Sequence, residues 1–473
     1  MTPRDTEQTV LRQLEERSSR TLDDIRQAIR LKSVSKTGEG LDTMADWLVS
    51  YIEHLGGTAR RHPGVHFPII EGELASPSAT RTLLFYELYD TQPASPEGWI
   101  CPPFEPATAE LDGVGPALVG RGAFNSKGPL VAFLAVLAAF HESGTNLPVN
   151  LRFVIEGEEE IGSPSLKDYL QANAHELRQC DAAFIPYFST DSRGRTALRL
   201  GFKGLMLLEL SVRGGDWGGP GGGDIHAMHA PWIASPAWDL VHALASLEDR
   251  DGNLCLPGLR EKTRGPDAGD RHLLTELAFR FPIDTFLEEL EARRFRHDLP
   301  PAELYERLMF SPSLNIDSIA ANPPTSGEEP ATAIPQSARA FLDLRLVPDM
   351  DVDSTVRMLR SHLDAAGFEH VEMEIKNAYP WAKVSASSEA VQCLFTACQR
   401  HADSVAYWPI HQGAAPLYLF SQLLGLPFAV GGLGHGGRSH AVNEYITLEG
   451  LDLFQRSMAS FLIEFGTMSD AHD

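Results

Sequence analysis

The sequence predicts an α/β fold: a main domain with a central mixed sheet flanked by helices, and a smaller α+β domain inserted into it. Three observations predict this. Up to about residue 190, apolar strand-like runs alternate with helical patterns, the texture of a sheet carrying helices on its faces. Around Lys203–Val212 the texture changes to a run that alternates like a half-exposed strand, followed by a glycine cluster. From Tyr379 onward the first texture returns. A chain of 473 residues is also too long for one compact core. The expected divisions are 1–208 and 378–473 for the main domain and 209–377 for the insert.

Taken in order, Val10, Leu11, Leu14, Leu22, Ile25, Ile29 and Leu31 fall near helical spacing, so residues 5–31 read as one amphipathic helix. Residues 41–55 make a second helix, closed by Gly56-Gly57. Strands are expected at His66–Gly72 and Thr82–Tyr89, the latter running into a proline-rich loop. GRGAFNSKGP (120–129) is a glycine-rich turn before an apolar helix, without the GxxxxGK[ST] spacing of a phosphate loop. A strand VNLRFVIEG, a helix over Ser165–His175 and a strand over Cys180–Tyr187 follow. In the insert, the order is strand, helix (SPAWDLVHALASL), strand (Ser313–Ala320), strand (Ala338–Leu346), helix (Asp353–Ala366) and strand (His370–Lys376). That is the pattern of a small α+β domain.

Composition narrows the function. Hydrophobic residues are 43% and charged residues 22%, as in a soluble globular protein, and the formal net charge of −24 disfavours nucleic acid and anionic membrane as partners. Five scattered cysteines include no CxxC pair, so neither a disulfide framework nor a cysteine zinc site is supported. No run approaches the ~18 apolar residues of a membrane span. The expected location is the cytoplasm.

One stretch organises the rest. Val154–Ser163 reads VIEGEEEIGS, an apolar strand ending in Glu156, Glu158, Glu159 and Glu160. Carboxylates so close cannot all stay ionised without a cation or shared protons. Either the stretch is a metal site with one glutamate as ligand and its neighbour as general base, or it is a solvated acidic turn.

Five ordered segments decide between them. LYDTQPASPEGWICPPFEP resembles H-x-D-V-x-P…W…PF; GRGAFNSKGP resembles G-R-G-x-x-D-x-K-G; EGEEEIGS resembles the EE-x-G-S segment; FLDLRLVPDMD resembles the LDxRxxP strand; SHAVNEY resembles H-x-P-N-E. Together, over roughly residues 40–465, they resemble the M20 metallopeptidases, a family of dipeptidases, aminoacylases and related amidohydrolases. The resemblance implies a catalytic α/β domain with an inserted lid domain that often forms a homodimer. It also implies two zinc ions bridged by an aspartate and a water, with a glutamate taking the water's proton.

Carried over by position, Glu159 matches the general base, Glu160 the neighbouring ligand and His440 the last histidine ligand. Asp90 matches the aspartate that steadies the first histidine ligand. The frame then departs from the pattern. Leu88 stands in the first histidine position and Asn125 in that of the bridging aspartate. The third acidic ligand is most simply Tyr187, with Asp191 close by as the other choice. Leucine cannot bind a metal, asparagine offers a neutral carbonyl, and tyrosine is a rare zinc ligand. Glu160 and His440 remain, fewer than the three protein ligands of an ordinary catalytic zinc.

The expectation is therefore no cofactor, or at most one weakly bound zinc. Arg345 matches a lid arginine that in the family binds the substrate carboxylate; the alternative is an ion pair with Asp343 or Asp349. His226 matches the lid histidine that stabilises an oxyanion, with His229 as a nearby substitute. His411 and His435 read as packing or surface histidines. The sequence points to an enzyme acting without the zinc pair on a small amino-acid-derived or peptide-like carboxylate. Glu159, Asp90 and Tyr187 would be its catalytic groups, and Asn125, Leu88, Arg345, His226 and His229 its substrate-binding groups. The reaction is amide hydrolysis, or condensation, acyl transfer or cyclisation. Two alternatives stand beside it: a catalytically silent homologue that binds a ligand or partner, and a conventional zinc amidohydrolase with replacement ligands.

Overall fold

The computed structural model describes residues 2–321 and 332–468. The chain divides into two compact units, one of residues 1–200, 384–408 and 419–473, the other of 201–383 and 409–418.

The first unit is built on an eight-stranded mixed sheet. Its strands are β1 (Thr58–His62), β2 (Ile69–Leu74), β3 (Thr82–Leu88), β4 (Asn150–Glu156), β5 (Ala182–Pro186), β6 (Thr196–Arg199), β7 (Val405–Trp408) and β8 (Phe428–Gly431). Their spatial order is β1-β2-β4-β3-β5-β8-β6-β7. Strands β4, β3, β5 and β8 run parallel, and β6 returns antiparallel against β8. The parallel strands are buried on both faces and so read as continuous apolar runs, such as LLFY in β3. The helix Lys127–Glu142 owes its apolar run to the same cause: every residue from Lys127 to Phe140 is buried, and Phe133 stacks on Phe85 of β3 at 4.6 Å. Because β3, β4, β5 and β8 point the same way, their carboxyl ends share one edge, where α/β sheets place their sites.

The N-terminal segment corrects one expectation. It forms two helices, Pro3–Glu16 and Ser18–Arg30, not one. The break is at Arg17, which turns inward: it is 4% exposed, donates to the Ala135 carbonyl at 2.6 Å and pairs with Glu142. A small antiparallel sheet of Ala107–Leu111, Gly115–Val119, Tyr445–Thr447 and Gly436–Gly437 was not anticipated either.

The second unit has the expected order of elements. Strands Ser313–Ala320, Ser337–Leu346, Gly201–Arg213 and Glu372–Tyr379 form an antiparallel sheet, with helices Pro236–Leu247 and Val352–Ala365 packing their leucines on one face. The polar stretch after residue 260 holds helices Ala268–Arg280 and Pro301–Phe310, which the sequence pattern did not reveal. Among the described residues no helix is long and apolar enough to cross a membrane.

Candidate active site

At the carboxyl edge of the first unit's sheet, β3 delivers Leu88 and Asp90, β4 delivers the four glutamates, and β5 delivers Tyr187. Leu88 lies opposite Glu156 in the β3–β4 register. The turn after β4 sorts the acids into two kinds. Glu156 is fully buried, accepts hydrogen bonds from Tyr86 and Ser163, and is pushed up to about 8 by burial. Glu158 is also buried and accepts from the backbone N–H of His66 (2.6 Å), Phe67 (2.7 Å) and Ser165 (3.2 Å), pinning those segments. These two are structural. Glu159 and Glu160 face the site.

Asp90 fixes that pair. It is 0% exposed and accepts the backbone N–H of Glu159 at 3.2 Å and of Glu160 at 3.0 Å. Burial raises its pKa to about 7, against the opposing hydrogen bonds from Ser35 and the Glu160 N–H. The expected job of steadying a histidine is therefore replaced by holding the turn that presents Glu159. Glu159 has its pKa raised well above the ordinary glutamate value, by burial first and then by the charges of Glu160 and Asp90.

Glu160 is the hub of the opposite side. Its side chain is 3% exposed. It accepts from Gln92 Nε2 at 2.7 Å, from Asn125 Nδ2 at 2.9 Å and from His440 Nε2 at 2.9 Å. The Glu160 hydrogen bond, above all, raises the pKa of His440. Asn125 Nδ2 also lies 3.1 Å from His440 Nε2, so two donors converge on one carboxylate oxygen. The orientation with Nδ2 toward Glu160 is the one that gives this carboxylate a second donor.

Asn125 is itself held by Glu444. This acid is 0% exposed and accepts from Arg121 (2.7 Å) and from the N–H groups of Gly122 (3.0 Å), Phe124 (3.0 Å) and Asn125 (2.7 Å). Two functional side chains were thus missed in the sequence, Glu444 and Gln92. Glu444 stands within the quoted SHAVNEY segment, so its motif was in view; Gln92 carried no signal.

Tyr187 stands at the end of β5, its ring edge-on to Phe124 at 5.2 Å. Asp191, the other choice for its position, is engaged in its own turn by Arg195 and by the N–H of Arg193. Leu88 contributes no polar side-chain atom, and its carbonyl accepts from Ser126. His435 is bound by Thr190 and Tyr445, as a packing histidine. So Leu88, Asp90, Asn125, Glu159, Glu160, Tyr187 and His440 belong to one edge of the first unit.

Arg345, His226 and His229 belong to the second unit. Arg345 pairs with Asp343 at 2.6 Å. His226 accepts from the Met228 N–H at 3.1 Å and His229 from Trp232 at 3.0 Å. Among the described residues, no group of three or more histidine, cysteine, aspartate or glutamate side chains is placed to hold a metal ion.

The family model described as peptidase family M20/M25/M40 matches residues 84–464. The chain belongs to that family. Relatives of known description agree. The Cys-Gly metallodipeptidase dug1 of Schizosaccharomyces pombe is 29% identical over 337 residues, 68% of this chain and 67% of that one. The Beta-Ala-His dipeptidase of Homo sapiens is 30% identical over 304 residues, 63% of this chain and 56% of that one. The crystal structure of the M20 family metallo-carboxypeptidase Sso-CP2 from Sulfolobus solfataricus superposes with a TM-score of 0.84 at 28% identity, covering 95% of this chain and 99% of that one.

Proposed function

We propose that this chain is an M20-family enzyme that acts without a zinc pair on a small amino-acid-derived or peptide-like substrate bearing a carboxylate, with Glu159 as its acid/base group. The observation that carries the reading is the Asn125 amide hydrogen-bonded to Glu160 beside His440. A carboxylate at that position would need a cation between itself and Glu160. An amide N–H closes the same gap with a hydrogen bond and needs none.

The other positions support it. Leu88 has no donor atom for a metal, and Tyr187 packs its ring against Phe124. The residues present do not fit two zinc ions. Without metal-bound hydroxide, the site's own resource is the Glu159 carboxyl, whose hold on its proton is raised by burial and by the neighbouring acids. In its protonated form Glu159 donates to the nitrogen that leaves. The reaction is breakage of an amide bond, as the names of the dipeptidase relatives suggest, in which water adds to the carbonyl carbon as the C–N bond breaks and the nitrogen takes the proton, or its reversal, or acyl transfer in which a second small nucleophile takes the place of water.

The working form is proposed to be a cytoplasmic homodimer joined through the second unit. Trp238, Val241, Ile316 and Ile319 leave apolar surface exposed on that unit, and all five cysteines are free, as suits a reducing compartment. The test is a turnover screen against dipeptides and N-acyl amino acids, run with and without chelator on wild type and Glu159→Gln. Chelator-resistant turnover lost in the variant supports the reading. Turnover that requires added zinc overturns it, and binding without turnover marks a silent homologue.

A further inference from the structure

An anionic substrate entering this edge meets the Glu159–Glu160 pair. A free cation there would draw it in, and the other cations nearby have partners. Arg121 is paired with Glu444, His440 with Glu160, and Lys127 donates to the carbonyls of Ala28 (2.8 Å) and Lys32 (2.6 Å). Arg199, at the end of β6, is different. Its guanidinium carbon lies 4.4 Å from the centroid of the Tyr187 ring, and among the described residues no carboxylate pairs with it. It is partly accessible, as is Tyr187. Its backbone lies opposite Val430 of β8, next to Gly431, whose carbonyl accepts the Tyr187 N–H.

The site therefore places a guanidinium over the Tyr187 ring and hydrogen-bonded to that tyrosine's side chain, where Tyr187 also feels the charges of Glu444 and Glu87. A partly buried guanidinium without a carboxylate partner costs free energy that an incoming carboxylate can offset. Contact with the ring limits where the guanidinium can go, so N–H···O bonds from it to a carboxylate need less further ordering. We infer that Arg199, seated on Tyr187, is the carboxylate-binding group of this edge, and that it supplies the positive charge a metal would otherwise provide to an acidic substrate. The inference rests on the reading that the substrate is a small carboxylate bound without zinc, but not on Glu159.

The experiment is calorimetric titration of the full-length protein with N-acetylglycine and, separately, with N-acetylglycinamide, which lacks the charge. Wild type, Arg199→Met and Glu159→Gln are compared at equal ionic strength. Wild type is expected to bind the acid at least about tenfold more tightly than the amide, and Arg199→Met to lose that preference. Glu159→Gln keeps it, which separates this proposal from the catalytic one. An unchanged preference in Arg199→Met, or no preference in wild type, overturns the inference. If Arg199→Met does not fold, modification of Arg199 in wild type by phenylglyoxal is read by mass spectrometry. Slowing by N-acetylglycine but not by the amide supports the site; no slowing overturns it.

Discussion

Replacing Asn125 with aspartate turns a donor into an acceptor 2.9 Å from a Glu160 oxygen. The lost hydrogen bond to a charged group removes about 1.5–3 kcal/mol. Two carboxylates about 3 Å apart then repel by on the order of 5 kcal/mol at an effective dielectric of about 20. Proton sharing caps this second term, and the partial accessibility of Asn125 weakens it further. The net expectation is a loss of about 3 kcal/mol at pH 8, shrinking to about 1 kcal/mol at pH 5, where a shared proton reconnects the pair. Urea unfolding of wild type and Asn125→Asp at both pH values measures it. A second arm adds Leu88→His and Tyr187→Asp to the same background, which returns three donor groups to the edge. Zinc should raise the urea midpoint of this triple variant and leave that of wild type in place. An Asn125→Asp protein as stable as wild type at pH 8 in the absence of metal would refute the reasoning, because the amide would then not be replacing a cation.

Glu444→Ala should cost about 3–5 kcal/mol, since it strands the buried Arg121 guanidinium and three backbone N–H groups. Urea unfolding reads the loss, and less than about 1 kcal/mol would show that the 120–125 loop is held by something else. His440 has a folded pKa raised above its ordinary value, so its contribution is complete below pH 6.5 and disappears as pH rises through the folded value. Its side chain is 51% exposed, so the contribution is a fraction of a kcal/mol, about 0.5. The stability gap between wild type and His440→Gln should be larger at pH 6 than at pH 9; an equal gap at both values would contradict the assignment.

The sheet and its site were legible in the sequence to different depths. Strands buried on both faces read as apolar runs, and the insert showed itself when alternation replaced those runs at Lys203–Val212. The Glu159–Glu160 pair was visible because clustered acids after an apolar strand are electrostatically conspicuous. What was hidden depends on partners distant in the chain. Glu444 receives its donors from residues more than 300 positions earlier, and strands as short as Gly436–Gly437 have no periodicity to detect. The different roles of Glu156 and Glu158 on one side, and Glu159 and Glu160 on the other, follow from where the turn after β4 points each side chain. Four adjacent acids cannot announce that. Helix Ala268–Arg280 was missed because Asp270, Arg271, His272, Glu276 and Arg280 interrupt its apolar face. The inward turn of Arg17 broke a helix whose spacing looked continuous, because a buried ion pair outweighed local propensity.

The most direct test of the account is the metal content of the full-length protein purified without chelator and measured again after incubation with zinc and removal of the excess. Fewer than about a tenth of an equivalent in both samples is the predicted result, with turnover undiminished. About two equivalents, with activity rising in proportion, would contradict it and return the chain to the ordinary zinc peptidases of its family.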